Sequence, residues 1–281
     1  MLEETHGLNS GELGIMKISV ITATYNSGAT LADTIESVLS QTFQDIEYIV
    51  IDGGSTDNTM DIVKHYEPHF DGKMKYVSEK DNGIYDAMNK GIRMATGDII
   101  GILNSDDYYS AHDILEKVIE KFNNENIDAI YGDLHYVNGD NRERCVRYYS
   151  SEIFTPNIMR FGFIPAHPTF YCRKEVYQKY GLYDTTYTIA ADFEALLRMI
   201  FINKIKTSYL PIDLVTMRLG GASTANMQRR WIGMKEHRMA LKKNGVYSNY
   251  LMLGILYAYR AYEILFSPIK YRRSLNRFKK K

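Results

Sequence analysis

The chain has 281 residues, a length that suits one large α/β domain or two small ones. Hydrophobic residues make up 45% and charged residues 24%, which argues against wholesale disorder. The 34 Lys and Arg residues balance the 34 Asp and Glu residues, so the net charge identifies no partner. The two cysteines, Cys145 and Cys172, have no CxxC spacing. This argues against a disulfide scaffold or a thiolate zinc site and favours a reducing cytoplasm.

Strand and helix patterns alternate through the first half of the chain. Residues 1–15 lack the basic start and apolar run of a signal peptide, and we interpret them as a flexible extension. Apolar strands that alternate with helices predict a parallel sheet covered on both faces. The predicted strands are 18–22, 48–51, 74–77 and 98–103, and the predicted helices are one through Leu31, Ile35, Val38 and Leu39, one at 59–66 and one at 84–95.

The middle of the chain has a different pattern. Residues 129–137 and 142–149 alternate around Asn138-Gly139, which predicts a hairpin. A loop rich in proline and aromatic residues follows at 154–171, and an amphipathic helix follows it, with Phe193, Leu196, Leu197, Ile200 and Phe201 on one face. We therefore predict one mixed α/β domain at about 16–220 and a helical tail at 221–281.

Three polar segments follow predicted strands, at 23–26, 52–57 and 104–107. Ligands of open α/β sheets bind beyond the carboxyl ends of the strands, so these segments are expected to meet at one edge. None of them is a GxGxxG or a P-loop sequence, which argues against a dinucleotide site or ATP-dependent phosphoryl transfer.

Asp106 and Asp107 are adjacent carboxylates after a buried strand. Such oxygen ligands suit Mg²⁺ or Mn²⁺, and a metal there would help a diphosphate to depart. The alternative is that one of them caps the next helix. Because Ser110 and Asp113 have the spacing of a capping box for a helix at 114–122, we predict that they cap it and favour the metal site.

Two further carboxylates each have two interpretations. Asp52 follows the strand 48–51, where it either binds a ribose or base or organises the turn at Gly53-Gly54. Asp192 precedes the amphipathic helix, where it is either an N-cap or a general base for an acceptor hydroxyl. His167 is either packed or a substrate contact, and residues 218–223 form either an ordinary loop or a lid over the donor.

Five segments in order resemble glycosyltransferase family 2, whose members have the GT-A fold. They are ISVITATYN (18–26), QTFQDIEYIVIDGGSTDNT (41–59), SEKDNGIYDAMNKGIRMATGDIIGILNSDD (78–107), HPTFYCRKEVYQKYGLYD (167–184) and IAADFEALLRM (189–199). The resemblance implies a Rossmann-like nucleotide-sugar-binding half at 16–110 and an acceptor half at 111–220, built on a mixed, mainly parallel sheet with flanking helices.

The resemblance also implies roles for individual residues. Asp106 takes the metal-ligating place of the DXD motif, beside Asp107, and Asp192 takes the place of the catalytic base. The residues implied to hold the nucleotide are Ala23, Tyr25, Asp52 and Asp81. The sequence departs from the family pattern at Asn104, in the first acidic position of DXD, and at Gly53, where many relatives have a second Asp.

The implied function is a metal-dependent, inverting hexosyl transfer from a nucleotide-sugar donor. The donor nucleotide is expected to be UDP, with GDP and dTDP as alternatives, and the cofactor Mn²⁺ or Mg²⁺. The acceptor is expected to be a glycan or polyprenyl-linked glycan of bacterial surface-polysaccharide synthesis. The alternatives are a glycoside hydrolase that uses Asp106 and Asp192 as a carboxylate pair and an inactive scaffold that binds sugar nucleotides.

The tail combines an apolar helix with a basic end. Residues 249–266 are apolar and aromatic, but Arg260 and Glu263 interrupt them, whereas a membrane span needs about 20 mostly apolar residues. The tail then carries seven basic residues, Lys270, Arg272, Arg273, Arg277, Lys279, Lys280 and Lys281. We expect it to bind the inner face of the cell membrane from the cytoplasm. The alternative is packing on the domain or in a homodimer. No nucleic-acid-binding module accompanies it.

Overall fold

The computed structural model describes residues 16–138, 141–220 and 227–278, so the extension predicted at 1–15 lies outside the described residues. The strands are β1 (Ile18–Thr24), β2 (Ile46–Asp52), β3 (Met74–Ser78), β4 (Ile99–Ile102), β5 (Tyr108–Tyr109), β6 (Ala129–Asn138), β7 (Asn141–Tyr149), β8 (Tyr171–Arg173) and β9 (Thr207–Arg218). The α-helices are α1 (Leu31–Leu39), α2 (Thr59–Tyr66), α3 (Ile84–Met94), α4 (Ile114–Asn124), α5 (Lys174–Tyr180), α6 (Ala191–Leu196), α7 (Met227–Lys243) and α8 (Tyr250–Phe278).

These strands form one mixed sheet in the order β3-β2-β1-β4-β8-β6-β9-β5, with β7 paired to β6. The first four strands are parallel, whereas β8 runs antiparallel between β4 and β6. Every residue of β1 and β2 is buried, because helices and connections cover both faces of the sheet. The predicted parallel α/β core is confirmed, and so is the predicted hairpin, since β6 and β7 pair antiparallel.

The sequence patterns did not predict β9. Pro211 and Asp213 interrupt its apolar run, and proline cannot donate to a strand ladder. The structure places Pro211 at a register shift, where Tyr209 pairs with Tyr131 and Asp213 with Asp133. The ladder therefore does not need the amide that proline lacks. The helix α5 was also not predicted, whereas α7 and α8 lie within the helical tail predicted at 221–281.

The amphipathic helix predicted at 193–201 has different bounds and an irregular end. It begins at Ala191 as α6 and continues through one turn of π-helix, Leu197–Ile202. Its apolar face is buried as predicted, with Phe193 and Leu197 fully enclosed. Because α6 starts earlier than expected, Asp192 lies within the first helical turn.

The helix α8 packs one side against the domain. Leu253 and Leu256 are buried, and Glu263 forms an ion pair with Arg147 of β7, with 2.8 Å between Oε2 and Nη2. Glu263 thus interrupts the apolar run of the tail because it binds the domain. Among the residues that the structure describes, no helix combines the length and the apolar character needed to cross a bilayer.

Candidate active site

The three polar segments predicted to meet do lie at one edge of the sheet. The strands β1, β2 and β4 are parallel and in register, so their carboxyl ends are adjacent. Asn26 Oδ1 accepts a hydrogen bond from the Thr56 amide at 2.9 Å, which joins the first segment to the second. The Ser27 and Ser105 hydroxyl oxygens lie 2.8 Å apart, which joins the first segment to the third.

Asp52 is fully buried at the end of β2, and its carboxylate accepts hydrogen bonds from the loop that follows it and from the end of β3. Oδ2 accepts from the Ser55 amide at 3.0 Å and from the Ser78 hydroxyl at 2.6 Å, and Oδ1 accepts from the Ser55 hydroxyl. These contacts match the turn-organising interpretation. A nucleotide can reach Asp52 only by replacing one of them, whereas Tyr25, at the end of β1, is exposed.

Asp81 lies against the same loop, and the glycine at position 53 makes room for it. A Cβ atom at Gly53 would be 2.6 Å from Asp81 Oδ2, well inside van der Waals contact. Asp81 Oδ1 also accepts a hydrogen bond from the Gly83 amide at 2.9 Å. A side chain at position 53 would therefore displace the Asp81 carboxylate from its present position.

Asp106 and Asp107 form a buried acidic pair after β4. Asp107 has no exposed surface, and its Oδ2 accepts a hydrogen bond from Asn104 Nδ2 at 2.9 Å. Burial raises the pKa of Asp106. Burial, and then the charge of Asp106, raises the pKa of Asp107 well above its usual range. Ionisation of both carboxyls therefore has an electrostatic cost, which a bound cation would relieve.

Two oxygens of this segment lack hydrogen-bond partners among the described residues. They are Asp107 Oδ1 and Asn104 Oδ1, and both are buried. Because buried polar atoms are nearly always paired, such atoms indicate an unseen ligand. Magnesium and manganese are typically held by one or two carboxylates together with substrate phosphates and water. The donor set of Asn104, Asp106 and Asp107 fits such an ion.

In the described ranges, no group of three or more His, Cys, Asp or Glu side chains could hold a metal. An ion at this pair would therefore need oxygen ligands from the donor diphosphate or from water.

The predicted capping box at Ser110 and Asp113 is wrong. Neither side chain caps α4, and the Ser110 hydroxyl instead lies 3.0 Å from the Thr216 hydroxyl, because β5 pairs with β9 next to it. Thr30 likewise makes no cap at α1 and donates to the Ser105 carbonyl at 2.9 Å. The case for a metal therefore rests on the unpartnered oxygens rather than on the elimination of a capping role.

Arg218 is held firmly at the end of β9. Its Nη1 donates to the main-chain carbonyl of Asp106 at 2.7 Å, and its Nη2 forms an ion pair with Asp33. The lid considered for residues 218–223 therefore does not begin at Arg218, which is fixed by these contacts; residues 221–223 lie outside the described residues. The guanidinium places a positive charge beside the acidic pair, and sequence reasoning did not assign it this position.

Asp192 is not an N-cap. The capping residue of α6 is Ala190, which makes no side-chain capping hydrogen bond. The carboxylate of Glu236, from α7, accepts hydrogen bonds from the amides of Thr188, Ile189 and Ala190 at 2.9, 2.8 and 2.9 Å. The side chain of Asp192 lies at the helix start and is partly exposed, and its Oδ1 accepts a hydrogen bond from the Phe193 amide at 2.8 Å.

An aromatic cluster surrounds Asp192. The Tyr85 hydroxyl donates to the Ile189 carbonyl at 2.5 Å and lies 3.4 Å from Asp192 Oδ1. The Tyr85 and Tyr183 rings are 5.8 Å apart, and the Tyr183 hydroxyl bonds His167 Nε2 at 2.8 Å. Burial lowers the pKa of His167, while the charge of Asp192 partly opposes this shift. His167 is therefore a packed, hydrogen-bonded histidine at the wall of the site.

A series of contacts connects Asp192 with the acidic pair. Tyr85 lies in the first turn of α3, four residues after Asp81, and Asp81 touches the loop after β2. That loop bonds the segment after β1, which in turn bonds Ser105. Asp192 is thus linked to the acidic pair through the loops at the carboxyl ends of β1 and β2.

The sequence at residues 19–181 matches the family described as Glycosyl transferase family 2, which is more than half of the chain. The chain belongs to glycosyl transferase family 2. An uncharacterized glycosyltransferase of Nostoc is 30% identical over 218 residues, which are 74% of this chain and 66% of that protein. A "PGL/p-HBAD biosynthesis glycosyltransferase" of Mycobacterium bovis is 28% identical over 216 residues, 76% of this chain and 82% of that protein.

Solved structures with the same fold confirm the GT-A architecture predicted for this member of family 2. TarS of S. aureus superposes with a TM-score of 0.61 at 19% identity, over 80% of this chain and 40% of TarS. The mannosyltransferase PcManGT of Pyrobaculum calidifontis, in complex with GDP-Man and Mn²⁺, superposes with a TM-score of 0.62 at 18% identity, over 93% of this chain and 70% of that one. At these identities the likeness concerns the fold.

Proposed function

We propose that this family 2 member transfers a sugar, with inversion at the anomeric carbon, from a nucleotide diphosphate donor to a hydroxyl group of the acceptor. The observation that carries the proposal is the connection of two site types through the loops at the carboxyl ends of β1 and β2. The acidic pair, in which Asp107 Oδ1 is buried without a hydrogen-bond partner among the described residues, lies on one side, and the partly exposed carboxylate of Asp192 lies on the other. This arrangement suits a reaction in which a diphosphate leaves and an alcohol attacks.

In the proposed reaction Asp192 is the general base. Its carboxylate takes the proton from the acceptor hydroxyl as that oxygen attacks the anomeric carbon and the bond to the diphosphate breaks. Such proton transfer typically contributes about 10²- to 10⁴-fold to the rate. Glu236 and Tyr85 position the base: Glu236 holds the amides of 188–190, and Tyr85 holds the Ile189 carbonyl.

The nucleotide would lie over the loops after β1 and β2, against Ala23, Tyr25, Asp52 and Asp81. Asp81 and Tyr25 are the accessible members of this set, so we propose direct contacts for them and a loop-shaping role for Asp52. Asn104, Asp106 and Asp107 would hold a Mg²⁺ or Mn²⁺ ion, which supplies positive charge to the departing diphosphate when it is bound. Arg218 adds a fixed positive charge beside this pair.

The donor nucleotide is proposed to be UDP. Neighbouring structures include TarS residues 1–349 in complex with UDP-GlcNAc and PcManGT in complex with GDP-Man and Mn²⁺. GDP therefore remains the alternative. The acceptor is proposed to be a glycan or a polyprenyl-linked glycan of bacterial surface-polysaccharide synthesis. This acceptor would bring the enzyme to the inner face of the cell membrane, where we propose that it works as a peripheral protein.

A thermal-shift panel of UDP-, GDP- and dTDP-sugars, each with and without Mn²⁺, tests the donor site. Ligands that bind only the folded state raise its stability in proportion to RT ln(1 + [L]/Kd). We expect one donor to stabilise the protein in a metal-dependent manner, and we expect Asp106→Ala to lose most of this effect. The exposed change Asp61→Asn is the matched control and should keep it. Absence of stabilisation by every donor would contradict the proposal.

A further inference from the structure

The helix α8 has two apolar sides, and only one of them is covered. Leu253 and Leu256 pack on the domain, together with Glu263 and Ser267. On the other side, apolar residues recur at three- and four-residue intervals, which places them in one stripe along the helix. We call this stripe the outer face of α8; it consists of Leu251, Ile255, Ala258, Tyr262, Leu265 and Phe266.

The outer face is open to solvent within the part of the chain that the structure describes. Leu251 is 82% exposed and Leu265 is 76% exposed, and the other members are also exposed. The stripe contains no charged side chain over four helical turns. A contiguous apolar surface of this kind is uncommon on a soluble protein and marks a contact with another molecule or with lipid.

Aromatic rings and cations border the outer face. Trp231 of α7 stacks on Tyr250 at 5.8 Å between ring centroids, and both rings are exposed. The Lys235 ammonium lies 5.5 Å from the Trp231 ring, and the Arg238 guanidinium lies 4.7 Å from the Tyr250 ring. Tryptophan and tyrosine beside cations are typical of protein surfaces at the boundary between lipid chains and headgroups.

The exposed charge around the outer face is positive. Residues 227–278 contain two acidic residues, Glu236 and Glu263, and both are buried against the domain. The exposed charged side chains of α7 are therefore all basic: Arg230, Lys235, Arg238, Lys242 and Lys243. The sequence continues with seven more basic residues after Phe266 and no acidic one.

We propose, building on the peripheral location proposed above, that the outer face of α8 inserts into a bilayer that contains anionic lipids. The apolar stripe would lie among the upper acyl chains, Trp231 and Tyr250 at the headgroup boundary, and the cations of α7 against lipid phosphates. An anionic bilayer complements both the apolar stripe and the surrounding positive charge. A second copy of the chain would complement the stripe but would add the same positive charge to it.

Trp231 is the only tryptophan of the chain, so its fluorescence reports on this surface alone. The purified full chain is mixed with phosphatidylcholine vesicles and with vesicles of equal parts phosphatidylcholine and phosphatidylglycerol. We expect a blue shift of the emission and co-sedimentation with the second kind of vesicle. Both signals should weaken as salt is added, because the attraction to headgroups is electrostatic.

The double variant L251S/L265S removes two apolar side chains from the outer face. We expect its vesicle binding to weaken by roughly tenfold or more, since each leucine loses favourable transfer into lipid. The matched control is L39S/I202S, which changes two apolar residues of similar type, 38% and 41% exposed, outside this face. The control should bind vesicles as the unchanged chain does.

Donor binding without vesicles separates this proposal from the proposed function. L251S/L265S should keep the thermal stabilisation by the nucleotide sugar, whatever happens to its vesicle binding. If the unchanged chain fails to bind anionic vesicles, the proposal is overturned. A dimer that light scattering detects, and that L251S/L265S dissociates, would overturn it too, because a second copy would then cover the face.

Discussion

The hydroxyl oxygen of Tyr85 lies 3.4 Å from Oδ1 of Asp192, although the two residues are 107 positions apart in the chain. The same hydroxyl donates to the Ile189 carbonyl at 2.5 Å, so Tyr85 fixes the backbone that precedes the proposed base. The first turn of α3 thereby contacts the start of α6.

Asp192→Asn should abolish transfer and leave donor binding intact, because the amide cannot accept the acceptor proton. We expect a loss of about 10²- to 10⁴-fold in kcat.

Tyr85→Phe removes one hydrogen bond beside the base and should lower kcat by about fivefold, with the donor KM little changed. Steady-state kinetics of both variants, with the identified donor, check this. A Tyr85→Phe effect confined to the donor KM would contradict the positioning role.

Glu236→Ala should destabilise the protein, because three backbone amides before α6 would lose their shared acceptor. Hydrogen bonds to charged groups are each worth about 1.5–3 kcal/mol, and water can replace part of them, so we expect a net loss of about 2–4 kcal/mol. Urea unfolding measures the change. Glu120→Ala, an exposed glutamate on α4, is the control and should change stability by less than about 0.5 kcal/mol. Equal stability of the two variants would show that the Glu236 carboxylate does not stabilise the fold through these amides.

Asp107→Asn should stabilise the protein in EDTA and remove its response to Mn²⁺. Burial, and then the charge of Asp106, raises the pKa of Asp107 well above its usual range. The folded state therefore holds a proton that the unfolded state releases, and this residue lowers stability as pH rises from its unfolded pKa towards its raised folded pKa. The neutral amide should recover about 1–3 kcal/mol at neutral pH.

Thermal unfolding of Asp107→Asn in EDTA and in Mn²⁺ makes that comparison. Asp61→Asn, an exposed change on α2, serves as the control and should match the unchanged chain in both conditions. Lower stability of Asp107→Asn in EDTA would mean that the carboxylate charge is already compensated within the protein.

Gly53→Ala should weaken donor binding with little effect on stability. The added Cβ would be 2.6 Å from Asp81 Oδ2, and the aspartate side chain would have to rotate away. We expect donor affinity to fall by about tenfold, as for Asp81→Ala, because both changes remove the same carboxylate from the site. A double-mutant cycle of donor Kd values tests this: G53A/D81A should be no weaker than D81A. Additive losses would show that the two positions act separately.

Glu47→Gln should destabilise the fold and leave donor affinity unchanged, because Glu47 lies at the opposite edge of the sheet from the site. Although burial alone would raise its pKa, hydrogen bonds from Lys75, Ser19 and Thr96 lower it to about 2. The contribution of ionised Glu47 to the stability of the fold is therefore fully present above the pKa that Glu47 has in the unfolded chain, and it is lost as pH falls towards 2. We expect a loss of about 2 kcal/mol at neutral pH, measured by urea unfolding. A large change in donor Kd would contradict this separation.

Local sequence patterns predicted the positions of those site residues that lie at the ends of strands. Asp106 and Asp52 come directly after apolar strands, and the parallel order of β1, β2 and β4 brings those ends together. The bulge at Pro211 could not be predicted, because it depends on the pairing of β9 with β6. The capping box at Ser110 was also mispredicted, since the Ser110 hydroxyl lies beside that of Thr216, which is distant in sequence.

The role of Glu236 also could not be predicted from local sequence patterns. It lies 46 positions after Ala190, in a helix whose polar sequence gives no sign of burial. Only the docking of α7 onto the start of α6 makes it an acceptor for three amides. From the sequence alone, Glu236 could have been noted as an acidic residue in a basic helix. Its partners, the amides of 188–190, could not have been identified, because no local motif spans that separation in the chain.

The hydrogen bonds from the amides of 188–190 to Glu236 determine whether the chain can be divided into independent domains. A cut at residue 220, where the domain boundary was predicted, would leave the carboxylate on one fragment and the amides of 188–190 on the other. Chimaeras that exchange the C-terminal helices between related enzymes would have to carry a matching acidic residue across the junction. The helix α7 is, in this respect, part of the scaffold that holds Asp192, the proposed base.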